Sequence, residues 1–403
     1  MADNQRKRIP CSILRGGTSK GVYLLENHLP RDGKERDEML LKLMGSPDIK
    51  QINGLGGAAS VTSKVAIISV SKRPDADVDY TFAQVGVDKP VVSYKGNCGN
   101  ISSGVGPFAI EQGLVKVTEP VTPVRIYNTN TDKVIVAEVE IRDNKVRYDG
   151  DFAIAGVKGT GSPIKLKFLD PAGSISGKLL PTGNAVDVLQ VPGVGDVSVS
   201  IVDAANPLVF ARASDLGLTG RELPSALDMD AGLLGRLEAV RGMAAVKMGL
   251  IKDYRNSAWE MPGVPKMTFV AEPADYTTSM GETARAGEVD LLGRMMSMQK
   301  AHPTYAMTGA MCTAAAAVIP GTIVNQVMQN GAGNLAGAPE AEAGTVNRPP
   351  QEETNTRLIR IGHAGGILEA GVDYRMGGAD VTIRDTFGFR TANLIMEGAA
   401  YLI

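Results

Sequence analysis

Apolar and polar residues in the first third of the chain come in short runs with the period-two signature of strands. Ile9 to Leu14 and Gly21 to Leu25 read as two strands flanking the turn Arg15-Gly16-Gly17-Thr18-Ser19-Lys20. A charged segment with helical spacing follows, from Gly33 to Met44. After the Gly54-Leu55-Gly56-Gly57 loop, Ser63-Lys64-Val65-Ala66-Ile67-Ile68-Ser69-Val70 predicts a β-branched strand with a lysine at its entrance. Strands continue through 124–127 and 133–141, where Val134, Val136 and Val139 mark a half-buried sheet.

The second half opens with a strand pattern around 197–202. Two stretches, 230–250 and 283–300, mix Leu, Met and Val with Arg, Glu and Lys at helical spacing and predict helices. Residues 330–356 are rich in Gly, Ala, Pro and Glu, with almost no large apolar side chain, and predict a loop. Short strands at 367–368 and 379–383 and a helix over 391–397 close the pattern. Strands with a few central helices in each half imply an α+β fold rather than an alternating parallel sheet.

Length turns this pattern into two domains, since 403 residues exceed one ordinary core. The Gly, Pro and Ser enrichment of 156–184 places the crossover there. The expected division is 1–184, to which a segment of about 380–403 returns, and 185–379. A hydrophobic content of 43% with 21% charged residues is that of a globular protein, and a net charge of −2 gives no support to nucleic-acid binding. No apolar run approaches the roughly 20 residues of a membrane span, and the N-terminus lacks a signal-peptide core. Three scattered cysteines form no disulfide framework, and three separated histidines form no zinc pattern. Composition therefore points to a cytoplasmic, metal-independent protein with no membrane partner.

The candidate chemistry begins at Lys95-Gly96-Asn97-Cys98-Gly99-Asn100-Ile101-Ser102-Ser103-Gly104, a polar, small-residue turn running into an apolar helix. The first N–H groups of a helix have no internal partners and can hold a carboxylate. Gly99, Asn100 and Ile101 would supply them, and the same field favours the thiolate of a cysteine placed there. Thr308-Gly309-Ala310-Met311-Cys312-Thr313 echoes this turn in the second half, again with a cysteine at the expected launch of a helix. Two such helix ends suit a substrate with two or more carboxylates. Cys312, which precedes an Ala-rich run, fits close helix packing equally well.

Lys64 is the strongest base candidate. A lysine at a strand edge is usually exposed, but this one follows small hydroxyl residues and enters an apolar strand directly. A lysine held away from water can act as a general base near neutrality. The 15–21 turn lacks the ending of a nucleotide-binding loop, yet Thr18, Ser19 and Lys20 could line an anion site. His363, in Gly362-His363-Ala364-Gly365-Gly366, is either a substrate contact or a turn residue.

These residues carry a resemblance. Arg-Gly-Gly-Thr-Ser-Lys-Gly at 15–21, Gly-Gly-Ala-Ala-Ser-Val-Thr-Ser-Lys at 56–64 and Gly-Asn-Cys-Gly-Asn at 96–100 resemble the 2-methylaconitate cis-trans isomerase and 3-methylitaconate Δ-isomerase family. So do Gly-Thr-Gly-Ser-Pro-Ile at 159–164, Leu-Pro-Thr-Gly-Asn at 180–184, Thr-Gly-Ala-Met-Cys-Thr at 308–313 and Arg-Thr-Ala near 390. The resemblance implies a diaminopimelate-epimerase-like fold, with two similar domains, each a mixed sheet or barrel round a central helix, and an active site between them. It implies proton transfer on a small unsaturated di- or tricarboxylate without any cofactor. Its catalytic assignments fall on Lys64 and Cys98, with Ser19 as a further candidate. Aconitate Δ-isomerase, 4-oxalomesaconate tautomerase and a non-catalytic carboxylate-binding protein are the alternatives, and a homodimer or tetramer is the default assembly. Epimerases of this fold oppose two cysteines. Here Cys98 lies two residues after Gly96 while Cys312 lies three after Gly309, and one residue turns a helical side chain by about 100°. That slip argues against a two-thiol racemase.

Overall fold

The computed structural model describes residues 7–334, 354–377 and 380–402. It divides into two compact units: residues up to Lys167 together with those from Phe389 onward, and Phe168–Gly388. The first boundary falls inside the Gly/Pro/Ser-rich stretch, earlier than Asn184. The returning segment begins at Phe389, later than residue 380.

In the first unit, β1 (Lys7–Gly16) and β2 (Ser19–Leu25) form an antiparallel hairpin, and α1 (Gly33–Met44) leads to β3 (Lys64–Val70), parallel to β2. β4 (Val78–Val85) runs antiparallel to β3. After α2 (Gly99–Glu111), β5 (Val121–Asn128) lies parallel to β4 and pairs antiparallel with β6 (Lys133–Arg142). The strand Ala392–Leu402 returns to pair antiparallel with β1 along its whole length, from Lys7↔Leu402 to Gly16↔Ala392.

The same succession recurs in the second unit. β7 (Gly195–Ala204) and β8 (Asn206–Arg212) are antiparallel, and α3 (Ala231–Lys247) leads to β9 (Lys266–Ala271), parallel to β8. β10 (Leu291–Ser297) is antiparallel to β9. Beyond α4 (Met307–Val318), β11 (Asn355–His363) is parallel to β10 and antiparallel to β12 (Gly366–Gly377). Each unit is thus a mixed sheet with a helix, α1 or α3, on its outer face and another, α2 or α4, buried within it.

Local sequence explains α1 well. The Asp32 side chain accepts from the Lys34 and Glu35 N–H groups, and Gly45 closes the helix in the left-handed region at φ 75°. Its Met39, Leu40, Leu43 and Met44 pack on Val22, Leu24, Val65, Ile67, Ala83 and Val85, every second residue of β2, β3 and β4. Each such side chain contributes about 1.5–3 kcal/mol on burial. In the second unit α3 does the same, with Leu233, Leu237, Val240 and Ala244 against Val209, Ala211, Met267 and Phe269.

Two expected helices are strands. Residues 283–300 hold a short strand, a turn and β10, whose residues are buried up to Met296. Burial on both faces removes the alternation that would have announced a strand. Residues 391–397 begin the strand paired with β1, a partner nearly four hundred positions away that local pattern cannot reveal. The expected loop 330–356 begins inside the helix Ile323–Asn334, and its residues 335–353 lie outside the described residues. Among the described residues no single helix is long and apolar enough to cross a bilayer. The pair Met307–Val318 and Ile323–Gly331, bent by 72°, passes on length and composition alone.

Candidate active site

The face of β2–β3–β4 opposite α1 carries the candidate chemistry. Strand alternation places Ser19, Gly21 and Tyr23 of β2, Lys64 and Ala66 of β3, and Gln84, Phe82 and Tyr80 of β4 on this face. α2 covers it: Tyr23 Oη donates to the Ile101 carbonyl at 2.7 Å, and the Tyr23 and Phe108 rings lie 5.8 Å apart. A Cβ on Gly104 would fall 2.3 Å from Tyr23 Oη. Small residues that look helix-poor in isolation are what let the sheet close on this helix.

The β1–β2 hairpin meets the first turn of α2. Gly16 pairs with Ser19 across the Gly17-Thr18 turn, where Gly17 has φ +53°. Asn100 Nδ2 donates to Thr18 Oγ1 at 3.0 Å, and Asn100 Oδ1 accepts from Arg390 Nε at 3.0 Å. The Arg15 guanidinium donates to the carbonyls of Gly17 and Thr391, fastening the turn to the strand Ala392–Leu402. Ser19 Oγ, on a residue only 3% exposed, has no hydrogen-bond partner among the described residues. A buried hydroxyl left in that state is costly unless a ligand engages it.

Cys98 is the N-cap of α2. Its carbonyl accepts from the Ser102 N–H at 2.8 Å, while its half-buried side chain makes no capping bond. The N–H groups of Gly99, Asn100 and Ile101 precede the first intrahelical donor, the Ser102 N–H, and are the orphan donors of this helix end. Lys64, 8% exposed, places Nζ 2.5 Å from Gln84 Oε1 and 5.1 Å from the centre of the Phe82 ring. Among the described residues no carboxylate pairs with it. Thr18, Ser19, Lys64, Cys98, Gly99, Asn100 and Ile101 therefore gather in the first unit. Lys20, opposite Arg15 in the hairpin, falls by alternation on the other face of β2 from Ser19.

The remaining candidates belong to the second unit. Thr308 and Gly309 lie in the first turn of α4, and Ala310 and Met311 are buried behind them. Cys312 does not launch this helix, as its echo of Cys98 suggested, but is its sixth residue. Its thiol donates to the Val202 carbonyl at 3.3 Å, and burial pushes its pKa well up. Thr313 Oγ1 donates to the Gly309 carbonyl and lies 2.9 Å from Tyr305 Oη. His363 ends β11, buried, with Nδ1 accepting from the Gly365 N–H at 3.0 Å.

Two residues escaped the sequence reading. Gln84 matters only through the register that sets it opposite Lys64. Arg390 is 3% exposed, and burial lowers its pKa to about 10. It bonds Asn100 and the Phe389 carbonyl but has no carboxylate partner among the described residues. Its place in the Arg-Thr-Ala motif was visible, but its burial was not.

A repeated unit with a helix buried inside a mixed sheet defines the racemase and epimerase class of folds. A probable proline racemase from Agrobacterium radiobacter shares that fold at 14% identity, with a TM-score of 0.53 over 98% of this chain and 93% of its own. The chain belongs to the PrpF protein family, whose model matches residues 6–338, and it is an isomerase. It is 46% identical to the 3-methylitaconate isomerase of Eubacterium barkeri over 400 residues, 99% of this chain and 98% of that relative. Identity to the 2-methyl-aconitate isomerase of Shewanella oneidensis is 39% over 404 residues, 97% and 96% of the two chains. A crystal structure of methylitaconate-delta-isomerase matches with a TM-score of 0.75 at 46% identity, covering 99% of this chain and 96% of that one.

Proposed function

We propose that this isomerase moves a proton, and with it a double bond, in a small unsaturated di- or tricarboxylate of the 3-methylitaconate or 2-methylaconitate kind. The observation that carries the reading is the presence in one unit of a buried lysine on the sheet face and a cysteine capping the helix over that face, together with a buried serine hydroxyl, where among the described residues the lysine has no carboxylate partner and the hydroxyl no hydrogen-bond partner. In such substrates an allylic C–H lies beside a double bond conjugated to a carboxylate. Lys64, as the neutral amine, takes that proton and leaves an extended enolate. Cys98 or the lysine ammonium returns a proton at the other end of the allylic system, so the double bond shifts and no electrons leave the substrate. The side chains of this chain suffice for these steps.

The carbon acid is weak, so stabilising the enolate is the larger task. Ser19 Oγ and the N–H groups of Gly99, Asn100 and Ile101 are the assigned donors, each worth on the order of 3 kcal/mol in barrier. The buried Arg390 guanidinium, which has no carboxylate partner among the described residues, supports a negatively charged ligand at this end of α2.

Proton NMR in D₂O with 3-methylitaconate, 2-methylaconitate, aconitate and oxalomesaconate tests the reading. Conversion of one acid with deuterium entering at the allylic carbon is the expected result. Lys64→Ala should fold and turn over almost nothing; near-normal turnover would remove Lys64 as the base.

A further inference from the structure

We propose that Gln84 is a positioning residue for the proton-transferring lysine, holding Lys64 by an uncharged oxygen where a carboxylate would fix it as an ammonium. The inference rests on the assignment of Lys64 as the base. In the β3–β4 register Gln84 stands directly opposite Lys64, and each is 8% exposed. Gln84 Nε2 donates to the carbonyls of Ser60 at 3.1 Å and Ser63 at 2.9 Å. Carbonyl oxygens only accept, so these two bonds occupy both amide hydrogens and leave Oε1 to face Lys64 Nζ. The orientation of the amide is therefore dictated by its partners.

Those carbonyls are themselves held. Ser63 Oγ accepts from Gln51 Nε2 at 2.7 Å, and Gln51 Oε1 accepts from the Ala58 N–H at 2.9 Å. A Cβ on Gly56 would fall 2.3 Å from the Gln51 amide, so the 54–63 loop closes tightly round that side chain. The titratable groups on the same face are Tyr23 from β2, Tyr80 from β4 and Cys98 from the start of α2, with Gly21 opposite Lys64 on β2. Among the described residues none presents a carboxylate to Nζ. Buried lysines are ordinarily paired with anions. An amide oxygen instead accepts an N–H from the amine and from the ammonium alike, so the lysine keeps its aim through both halves of a proton transfer.

Profiles of kcat/KM against pH for Gln84→Glu and Gln84→Met, with melting curves, test this. Gln84→Glu should move the ascending limb alkaline by about one unit or more, a loss of about tenfold or greater at neutral pH that high pH restores. Gln84→Met should lower kcat by about tenfold or more with KM little changed and no alkaline shift. A Gln84→Glu protein that is impaired equally at every pH, or a Gln84→Met protein with wild-type kcat, overturns the proposal. Failure of the base assignment shows separately, as turnover retained by Lys64→Ala in the same assay.

Discussion

At Gly16 the hairpin meets α2 backbone to backbone, and replacing it with alanine has a calculable effect. A Cβ there would lie 2.3 Å from the Asn100 carbonyl oxygen and 3.1 Å from both Ser103 Oγ and Tyr23 Oη. Carbon and carbonyl oxygen settle at about 3.3–3.6 Å, so roughly 1 Å must be found. The obstacle is the main chain of a buried helix whose carbonyl already accepts a 2.7 Å bond from Ser103, and it cannot swing aside. Overpacking of this kind costs about 1–3 kcal/mol, and two backbones in contact put Gly16→Ala near the upper figure. For a unit of this size that is a fall in Tm of about 6–12 °C. Ser19 is the register partner of Gly16, so a retreating hairpin also drags its hydroxyl from the end of α2. Misplacement by about 1 Å is expected to lower turnover by on the order of 10²-fold. Calorimetry and the D₂O assay measure the two effects. Gly33→Ala is the control: no atom lies within 4 Å of its Cβ, and the first residue of α1 should accept alanine with Tm unchanged or slightly raised. A Gly16→Ala protein melting within about 1 °C of wild type would refute the reasoning.

Cys98→Ser should bind a saturated dicarboxylate normally, by calorimetry, while losing most turnover; full turnover would reduce Cys98 to a cap. Arg390→Met should raise KM by about tenfold or more, the worth of a charge-assisted hydrogen bond of roughly 1.5–3 kcal/mol, and an unchanged KM would separate Arg390 from the ligand. Alkylation of the native protein at pH 8 should label Cys98 alone. Cys312 is fully buried and Cys11 nearly so, and burial raises both thiols, so their thiolate fraction falls below that of a free cysteine at that pH. Mass spectrometry showing Cys312 labelled as fast as Cys98 would contradict this.

What could be read in the sequence was whatever rests on neighbours along the chain. The limits of α1 follow from Asp32 and Gly45, and Lys64 enters its strand where the β-branched run begins. Cys98 heads its helix because Gly96 and Asn97 cannot continue one smoothly and the apolar run starts just beyond. Reading failed where distant residues decide. β10 is buried on both sides, so its Leu, Met and Arg294 imitate a helix. Ala392–Leu402 becomes a strand because β1 awaits it. Gln84 and Arg390 were hidden for the same reason, since each has meaning only beside a residue twenty or nearly three hundred positions away. The two cysteines misled in the opposite way: similar surroundings in sequence put one at the start of a helix and the other a turn and a half inside it.

The strand Ala392–Leu402 pairs with β1 from Lys7 to Gly16, and Thr391 just before it receives the N–H of Gly17 and the guanidinium of Arg15. During synthesis at about 5–20 residues per second, Lys64 and Cys98 emerge on the order of 15–60 s before the strand that completes their sheet. Among the described residues, the strands of the second unit all precede it in the chain. Until that strand is made, the first unit lacks the ladder that β1 forms with it from Lys7 to Gly16. A truncation within Ala392–Leu402 should therefore weaken the unit that holds Lys64 and Cys98, and an insertion there would have to leave a backbone ladder undisturbed.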